Sequence, residues 1–215
     1  MVAWFIHEPW QFTTSIKLNT IPSINLMSRT LQEYLTQRTA LVPAELEPIS
    51  ACFKHLTAKK NEILIHQDTS CKRLYFINTG CLRVVCHRDD GQEWTRQIAV
   101  EQDFITIFPS FLEQTPSASY LQTVEASDLQ YISYDDFTRL KSIVPQWAQL
   151  YHDLIEQSYV NSIRRIEKLI TLNGKDLYEE FKSHHPDLLN RLPNKITASY
   201  LGISPETLSR LKTKK

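Results

Sequence analysis

The last two dozen residues of the chain, Leu192–Lys215, read LPNKITASYLGISPETLSRLKTKK. Counted from Asn194, the fifth residue is the small Ala198 and the ninth is Gly202. A small fifth residue lets a second helix cross closely, and a glycine supplies the positive φ that ends a helix in a tight turn. The spacing therefore predicts two short helices joined at Gly202.

The start of the second helix is marked by three consecutive residues. Ser204 is a good N-cap, Pro205 suits the first helical position, and Glu206 favours the positive end of the helix dipole. Leu208 and Leu211, three residues apart, are expected to face inward. The outer face then carries Pro205, Glu206, Ser209, Arg210 and Lys212.

Positive charge is concentrated in the same stretch. Residues 191–215 contain six basic side chains and one acidic one, whereas the whole chain has a net charge of 0. A phosphate-contacting module needs this distribution, so we interpret the stretch as a DNA-binding helix-turn-helix rather than a helical lid. The predicted DNA-binding residues are Lys195, Ser204, Glu206, Thr207, Ser209, Arg210 and Lys212.

Composition limits the other possibilities. The chain has 215 residues, of which 42% are hydrophobic, with 4 glycines against 10 prolines. No GxxxxGK or GxGxxG motif occurs, which argues against nucleotide hydrolysis and Rossmann chemistry. The four cysteines form no CxxC pair and the seven histidines form no HExxH motif, so we expect no metal site. Without a secretory signal or a membrane span, the expected location is the cytoplasm.

The middle of the chain changes to an alternating apolar pattern. Short β-prone runs are separated by turn signals, of which Asp90-Gly91 is the clearest hairpin. Such spacing predicts an antiparallel sandwich, barrel or roll. The predicted strands are Glu62–His66, Arg73–Asn78, Cys81–His87, Trp94–Val100, Phe104–Phe108, Tyr120–Glu125 and Leu129–Tyr134.

Helices are predicted on both sides of these strands. They are a helix from Ser28 to Tyr34 capped by Ser28, a helix from Ala44 to Phe53 that Pro48 breaks or kinks, a helix capped by Asp135, a long helix after Pro145, and Lys175–Lys182. The long helix carries an apolar stripe, which suggests packing onto a partner helix. Packing within the same subunit is an equal alternative for its first half. The predicted dimer-interface residues are Tyr151, Leu154, Tyr159, Ile163, Ile166 and Ile170.

The order of roll, long helix and helix-turn-helix resembles the CRP/FNR family of bacterial transcription regulators. The resemblance lies in Leu74–Val85, the turn at 89–91, Phe104–Glu125 and Ala198–Arg210. It implies an α+β fold, with an antiparallel cyclic-nucleotide-binding-like β roll, a dimerisation helix and a C-terminal DNA-binding domain. The implied partners are double-stranded DNA, a second copy of the chain, and RNA polymerase, with no membrane.

The resemblance also implies domain boundaries. Residues 1–26 form an irregular N-terminal extension, 27–144 the β-roll sensor, 145–172 the dimerisation helix, and 173–215 the helix-turn-helix domain. The extension lacks a consistent period. It is either a loosely docked arm or an annotation artefact upstream of a true start at Met27.

The family's recognition helix typically reads Ser-Arg-Glu-Thr-x-x-Arg. Ser204, Glu206, Thr207 and Arg210 match it, so the base-reading roles of the family's Glu and second Arg carry over to Glu206 and Arg210. Pro205 stands in place of the family's first Arg, which removes one contact of the kind that an arginine makes to guanine. The operator sequence is therefore expected to differ from the family's usual one.

The family's cyclic-nucleotide cassette is not matched. It uses a Gly-Glu pair and an Arg-x-Ala element, but Phe108–Tyr120 has no glycine, no arginine and a single acid, Glu113. Burying a phosphate without a cation is costly, so cyclic AMP is not expected to bind, and any effector is unknown. No cysteine cluster precedes the roll to hold an iron–sulfur centre. If the roll binds a small molecule, the candidate residues are Phe108, Ser110, Phe111, Ser117 and Ser119.

Three functions remain open from the sequence. The leading one is a homodimeric, sequence-specific transcription regulator. The second is a β-roll module that binds a small molecule or a protein and carries a degenerate DNA-binding end. An enzyme is third, because a cupin-like roll would need converging His and Glu ligands and the predicted strands carry too few.

Overall fold

A computed structural model describes residues 31–39, 41, 43–87 and 91–213. The chain has an α+β fold with two antiparallel sheets and a long helix near its centre. The helices are α1 (Leu31–Arg38), α2 (Pro43–Ala51), α3 (Phe108–Glu113), α4 (Tyr134–Ile143), α5 (Pro145–Thr171), α6 (Gly174–His184), α7 (Pro186–Arg191), α8 (Asn194–Leu201) and α9 (Pro205–Thr213). The strands are β1 (Lys54–Ala58), β2 (Ile63–Ile65), β3 (Arg73–Thr79), β4 (Leu82–His87), β5 (Glu93–Ala99), β6 (Phe104–Ile105), β7 (Ser119–Thr123) and β8 (Ser127–Ser133).

The strands form a roll of two four-stranded sheets. Their orders are β1-β8-β3-β6 and β2-β7-β4-β5, and every pairing is antiparallel. Each of the seven predicted strands corresponds to an observed one, which confirms the predicted class of fold. β4 and β5 pair from Leu82 with Ala99 to His87 with Glu93, as the hairpin prediction requires. The turn residues Asp89 and Asp90, the Ser28 cap and the predicted extension 1–26 lie outside the described residues.

Four local features differ from the predictions. The strand predicted at Phe104–Phe108 ends at Ile105, and α3 begins at Phe108 because Pro109 fits the first turn of a helix. β1 was not expected, since its side chains are mostly exposed and do not alternate. The cap of α4 is Ser133, whose Oγ accepts the Asp136 N–H, and Asp135 lies inside the helix. Pro48 lies within α2 and does not break it.

The first hydrophobic core fills the roll and includes the start of α5. Trp147 and Leu150 are 2% and 3% exposed. The Trp147 ring makes edge-to-face contacts with Phe104 and Phe137, at centroid distances of 6.4 and 5.9 Å. Tyr151 packs on Phe137 at 5.2 Å. The first turns of α5 are therefore anchored inside their own subunit.

A second core joins the C-terminal helices to the β2-β7-β4-β5 sheet. In β5, Ala99 contributes to the first core, whereas its neighbours Ile98 and Val100 pack on the second. Successive strand residues point to opposite faces, so the two cores lie on opposite sides of this sheet. The buried members of the second core are Cys81, Val124, Leu177, Tyr178, Phe181, Leu192, Ile196, Ala198, Leu201 and Leu208.

Candidate nucleic-acid interface

The turn between α8 and α9 is built by Gly202. Its φ is 70°, the left-handed conformation expected at the end of a helix. The N–H groups of Gly202 and Ile203 both donate to the carbonyl oxygen of Ala198. Ala198 is 1% exposed and Leu208 is fully buried, so α8 and α9 cross where the small residue allows close approach.

Thr197 occupies a position in α8 that usually carries an aliphatic side chain. It is fully buried, and its hydroxyl donates to the Pro193 carbonyl at 3.3 Å. This bond removes the cost of burying a polar group, and Ile196, also buried, supplies the apolar contact.

The start of α9 has the predicted cap. Ser204 Oγ accepts the Thr207 N–H at 3.1 Å, and Pro205 is the first helical residue. The backbone N–H of Glu206 and the Ser204 hydroxyl lower the pKa of the Glu206 carboxyl, so it is ionised at neutral pH. A carboxylate at this end of a helix is an acceptor suited to a cytosine amino group.

The predicted DNA-binding residues lie on α8, on α9 and in the turn between these two helices. Arg210 is exposed, and its Nε lies 3.4 Å from the Glu206 carbonyl. The Lys212 ammonium donates to Asn194 Oδ1 at 2.6 Å, which links the end of α9 to the start of α8. Lys195, Ser204, Glu206, Ser209 and Arg210 are exposed, and Thr207 and Lys212 are half-buried.

The predicted ligand residues lie in and after α3, where the hydroxyls of Ser110 and Ser117 bond to the protein itself. Ser110 Oγ accepts the Cys71 N–H at 2.9 Å and donates to the Thr115 carbonyl at 2.5 Å. Ser117 Oγ accepts the Ser119 N–H at 3.0 Å. Phe108 is half-buried, and Phe111 is fully buried against Tyr134 and Phe137.

The predicted dimer-interface residues divide into two groups along α5. Tyr151 and Leu154 are half-buried against the first core. The other four are exposed and follow one face of the helix. Their exposed fractions are 66% for Tyr159, 39% for Ile163, 51% for Ile166 and 77% for Ile170.

Contacts between the roll and the C-terminal helices were not predicted. Ser199 of α8 accepts the Thr95 N–H of β5 at 2.8 Å, and Arg165 of α5 donates to the Tyr200 carbonyl at 2.6 Å. Arg191 forms ion pairs with Glu101 and Glu125 of the roll. These residues are 35 to 104 positions apart in the chain, and no local pattern marks such contacts.

The comparisons with known proteins agree with this architecture. Residues 55–142 match the family model described as "Cyclic nucleotide-binding domain". The structure resembles CLP, the c-di-GMP-responsive global regulator of Xanthomonas campestris, with a TM-score of 0.65, 17% identity, and coverage of 80% of this chain and 91% of that one. A putative CRP/FNR regulator from Eubacterium rectale gives a TM-score of 0.64 with 18% identity, over 80% of this chain and 82% of that one. The Thermus thermophilus catabolite activator protein gives a TM-score of 0.54 with 18% identity, over 83% of this chain and 84% of that one.

The chain thus contains a cyclic nucleotide-binding-type domain within the overall fold of CRP/FNR regulators. The resemblance inferred from the sequence is confirmed at the level of the fold. A comparison with curated protein sequences found no match. Among the helices of the described residues, none is both long and apolar enough to cross a membrane.

Proposed function

We propose that the protein is a sequence-specific transcription regulator that binds double-stranded DNA as a homodimer. The observation that carries this proposal is the pair α8 and α9. The glycine turn, the buried Ala198 and Leu208 and the Ser204 cap hold α9 with a polar face outward. That is the arrangement a recognition helix needs to enter a major groove.

The proposed roles of the side chains follow from their chemistry. Arg210 has the planar donor pair that fits the O6 and N7 atoms of guanine, and Glu206 can accept from the N4 group of cytosine. Lys195 and Lys212 are point charges suited to phosphates, and the Ser209 hydroxyl is suited to a phosphate oxygen. Arg210 and Glu206 therefore specify sequence, whereas the lysines set affinity and its dependence on salt.

The dimer is supported by the exposed apolar face of α5. Tyr159, Ile163, Ile166 and Ile170 expose large side chains that water solvates poorly. A second copy related by a twofold axis would cover each face with the other. Two recognition helices would then face one duplex, as two half-sites of an operator require.

We do not propose a cyclic nucleotide as the ligand of the β roll. The α3 region is closed by its own hydrogen bonds, and the buried Arg83 already donates to Glu93 and Gln122. We propose a roll with an effector of another kind or with none. The protein would act in the cytoplasm together with RNA polymerase.

The test is selection from a random duplex library with the full-length protein, followed by gel shifts of the selected duplex with and without Arg210→Ala. The proposal expects enrichment of one sequence family and a loss of that preference in the variant. Binding that never exceeds the nonspecific background in the intact protein would refute it.

A further inference from the structure

The exposed face of α5 extends beyond its four large apolar side chains. Successive residues of an α-helix lie about 100° apart around the axis, and on that spacing six exposed residues of α5 fall within one arc of about 80°. From the N-terminal end they are His152, Glu156, Tyr159, Ile163, Ile166 and Ile170. This seam face therefore has an ionisable end and an apolar end.

The seam face points away from the rest of its own subunit. Trp147, Leu150 and Leu154 of α5 pack on the first core. Leu169 and Leu172 pack on the second core. By the same spacing these five residues lie on the opposite half of the helix. The ionisable end is therefore continuous with the proposed dimer contact, and its occupant is a second copy of the chain.

The proposed dimer requires the two α5 helices to run parallel, because only then do both recognition helices lie at one end and reach a single duplex. An antiparallel pair that buried the whole face would set His152 against the partner's Ile170 and Glu156 against the partner's Ile166. Burying a charge against an apolar side chain is costly. In the parallel pair each residue of the face meets its own copy across the twofold axis.

Parallel pairing brings four ionisable groups together. Glu156 faces the partner's Glu156, and two carboxylates at close range repel each other. His152 lies one helical turn before Glu156, on the same face, where it can approach the carboxylates of both chains. With neutral imidazoles this end carries two uncompensated negative charges. With protonated imidazoles it carries two positive and two negative charges.

His152 has an acid and a base as neighbours on its own subunit. Asp153 accepts a hydrogen bond from Gln149 at 2.8 Å and projects about 100° away from His152 around the helix. On α4, the Lys141 ammonium lies 5.0 Å from the centroid of the Tyr151 ring, which lies 5.8 Å from the His152 ring. Carboxyl and ammonium groups ordinarily keep their charge between roughly pH 6 and pH 8, whereas an imidazole changes its charge there.

We propose that His152 and Glu156 form a pH-responsive end of the dimer seam, where protonation of the two imidazoles strengthens the pairing of the chains. This inference rests on the proposed homodimer. A cation that gains carboxylate partners on pairing makes the dimer bind protons more tightly than the separate chains do. The added stability is complete below the range in which a free imidazole titrates, and it is lost as the pH rises through the range in which the paired imidazole titrates.

The test is the dissociation constant of the full-length dimer, measured by sedimentation at about pH 6 and about pH 8. The wild-type constant should be about tenfold lower at the acid pH. His152→Gln keeps a polar side chain that cannot be protonated, and it should abolish the difference. His66→Gln, which replaces an exposed histidine directly after β2, is the matched control and should keep the wild-type response.

Glu156→Gln separates an electrostatic role from a merely structural one. Removing the two facing carboxylates should tighten the dimer at about pH 8 and abolish its strengthening in acid, because the protonated imidazoles then lack a partner. A wild-type dissociation constant that is equal at both pH values, or a response that survives in His152→Gln, would overturn the inference. A chain that stays monomeric at every pH and concentration would refute the proposed homodimer, and this inference with it.

Discussion

At the scale of single residues, the turn between α8 and α9 depends on side chains that stand out in the sequence. Gly202 has the positive φ expected from its place in the pattern, and Ser204 caps α9. Thr197 stands where an aliphatic side chain is usual, and its hydroxyl is accommodated there because it donates a hydrogen bond to the Pro193 carbonyl. The ion pairs of Arg191 could not be predicted, because their partners are distant in the chain and are brought near only by the fold.

Arg210 and Lys212 should differ in what their removal costs. Arg210→Ala is expected to lose about 1 to 3 kcal/mol on the selected duplex and to relax preference at one base pair. Lys212→Ala should weaken all sequences alike and reduce the slope of log affinity against log salt by about one. Titrations at several salt concentrations distinguish the two. Equal, sequence-independent losses would show that Arg210 reads no base.

The Glu101 carboxylate should make the stability of the folded protein depend on pH. Burial raises the pKa of Glu101, but hydrogen bonds from Arg191 and the Gly80 N–H outweigh it, so the pKa falls below its ordinary value of 4.5. A lowered pKa in the folded state means that the stabilisation is complete above pH 4.5 and is lost as the pH falls through the lowered value.

Wild type should therefore be more stable than Glu101→Gln at neutral pH, and the difference should shrink in acid. Urea unfolding between roughly pH 6 and pH 3 measures it. A difference that does not change with pH would mean that the ion pair with Arg191 does not form.

At the scale of elements, apolar periodicity located the strands of the roll, but two elements did not follow it. β1 exposes most of its side chains and owes its position to its pairing with β8, from Lys54 with Tyr131 to Ala58 with Ser127. α3 follows β-prone residues, so its six-residue helix could not be distinguished from a continuing strand. For α5, only the structure separates the half that packs on the roll from the half that remains exposed.

A charge on the exposed half of α5 should split the dimer. Ile163→Asp would bury a carboxylate without a partner at the proposed seam, which costs several kcal/mol for the pair of subunits. Sedimentation should then detect monomers. Asn161→Asp, two residues away on an exposed position, carries the same change in charge and should leave the dimer intact. A dimer unaffected by Ile163→Asp would locate the interface elsewhere.

The α3 region should not bind cyclic AMP. The hydroxyls of Ser110 and Ser117 are bonded to backbone groups, and Arg83 is 7% exposed and bonded to Glu93. Calorimetry with cyclic AMP should show no heat of binding at physiological concentrations. Micromolar binding would require a cation to reach the phosphate, with Arg96 of β5 as one candidate among the described residues, and would overturn this account of the roll.

At the scale of the whole molecule, the β roll and the C-terminal helices are joined through a shared apolar core and two arginine contacts. The order of the domains could be predicted from the sequence because each has its own periodicity. Their docking could not, since residues such as Cys81 and Leu201 fit an ordinary core pattern within their own segments. The proposed homodimer would add a second level of organisation, in which α5 would pair two such units.

The most direct measurement is the symmetry of the DNA sequence that the full-length protein selects from a random duplex library. A homodimer with one recognition helix in each subunit must select an inverted repeat, with half-sites about 10 base pairs apart, bound by two chains. The account predicts this repeat, together with a sedimenting complex of two chains per duplex. Selection of no sequence, or of a single asymmetric site bound by one chain, would contradict it.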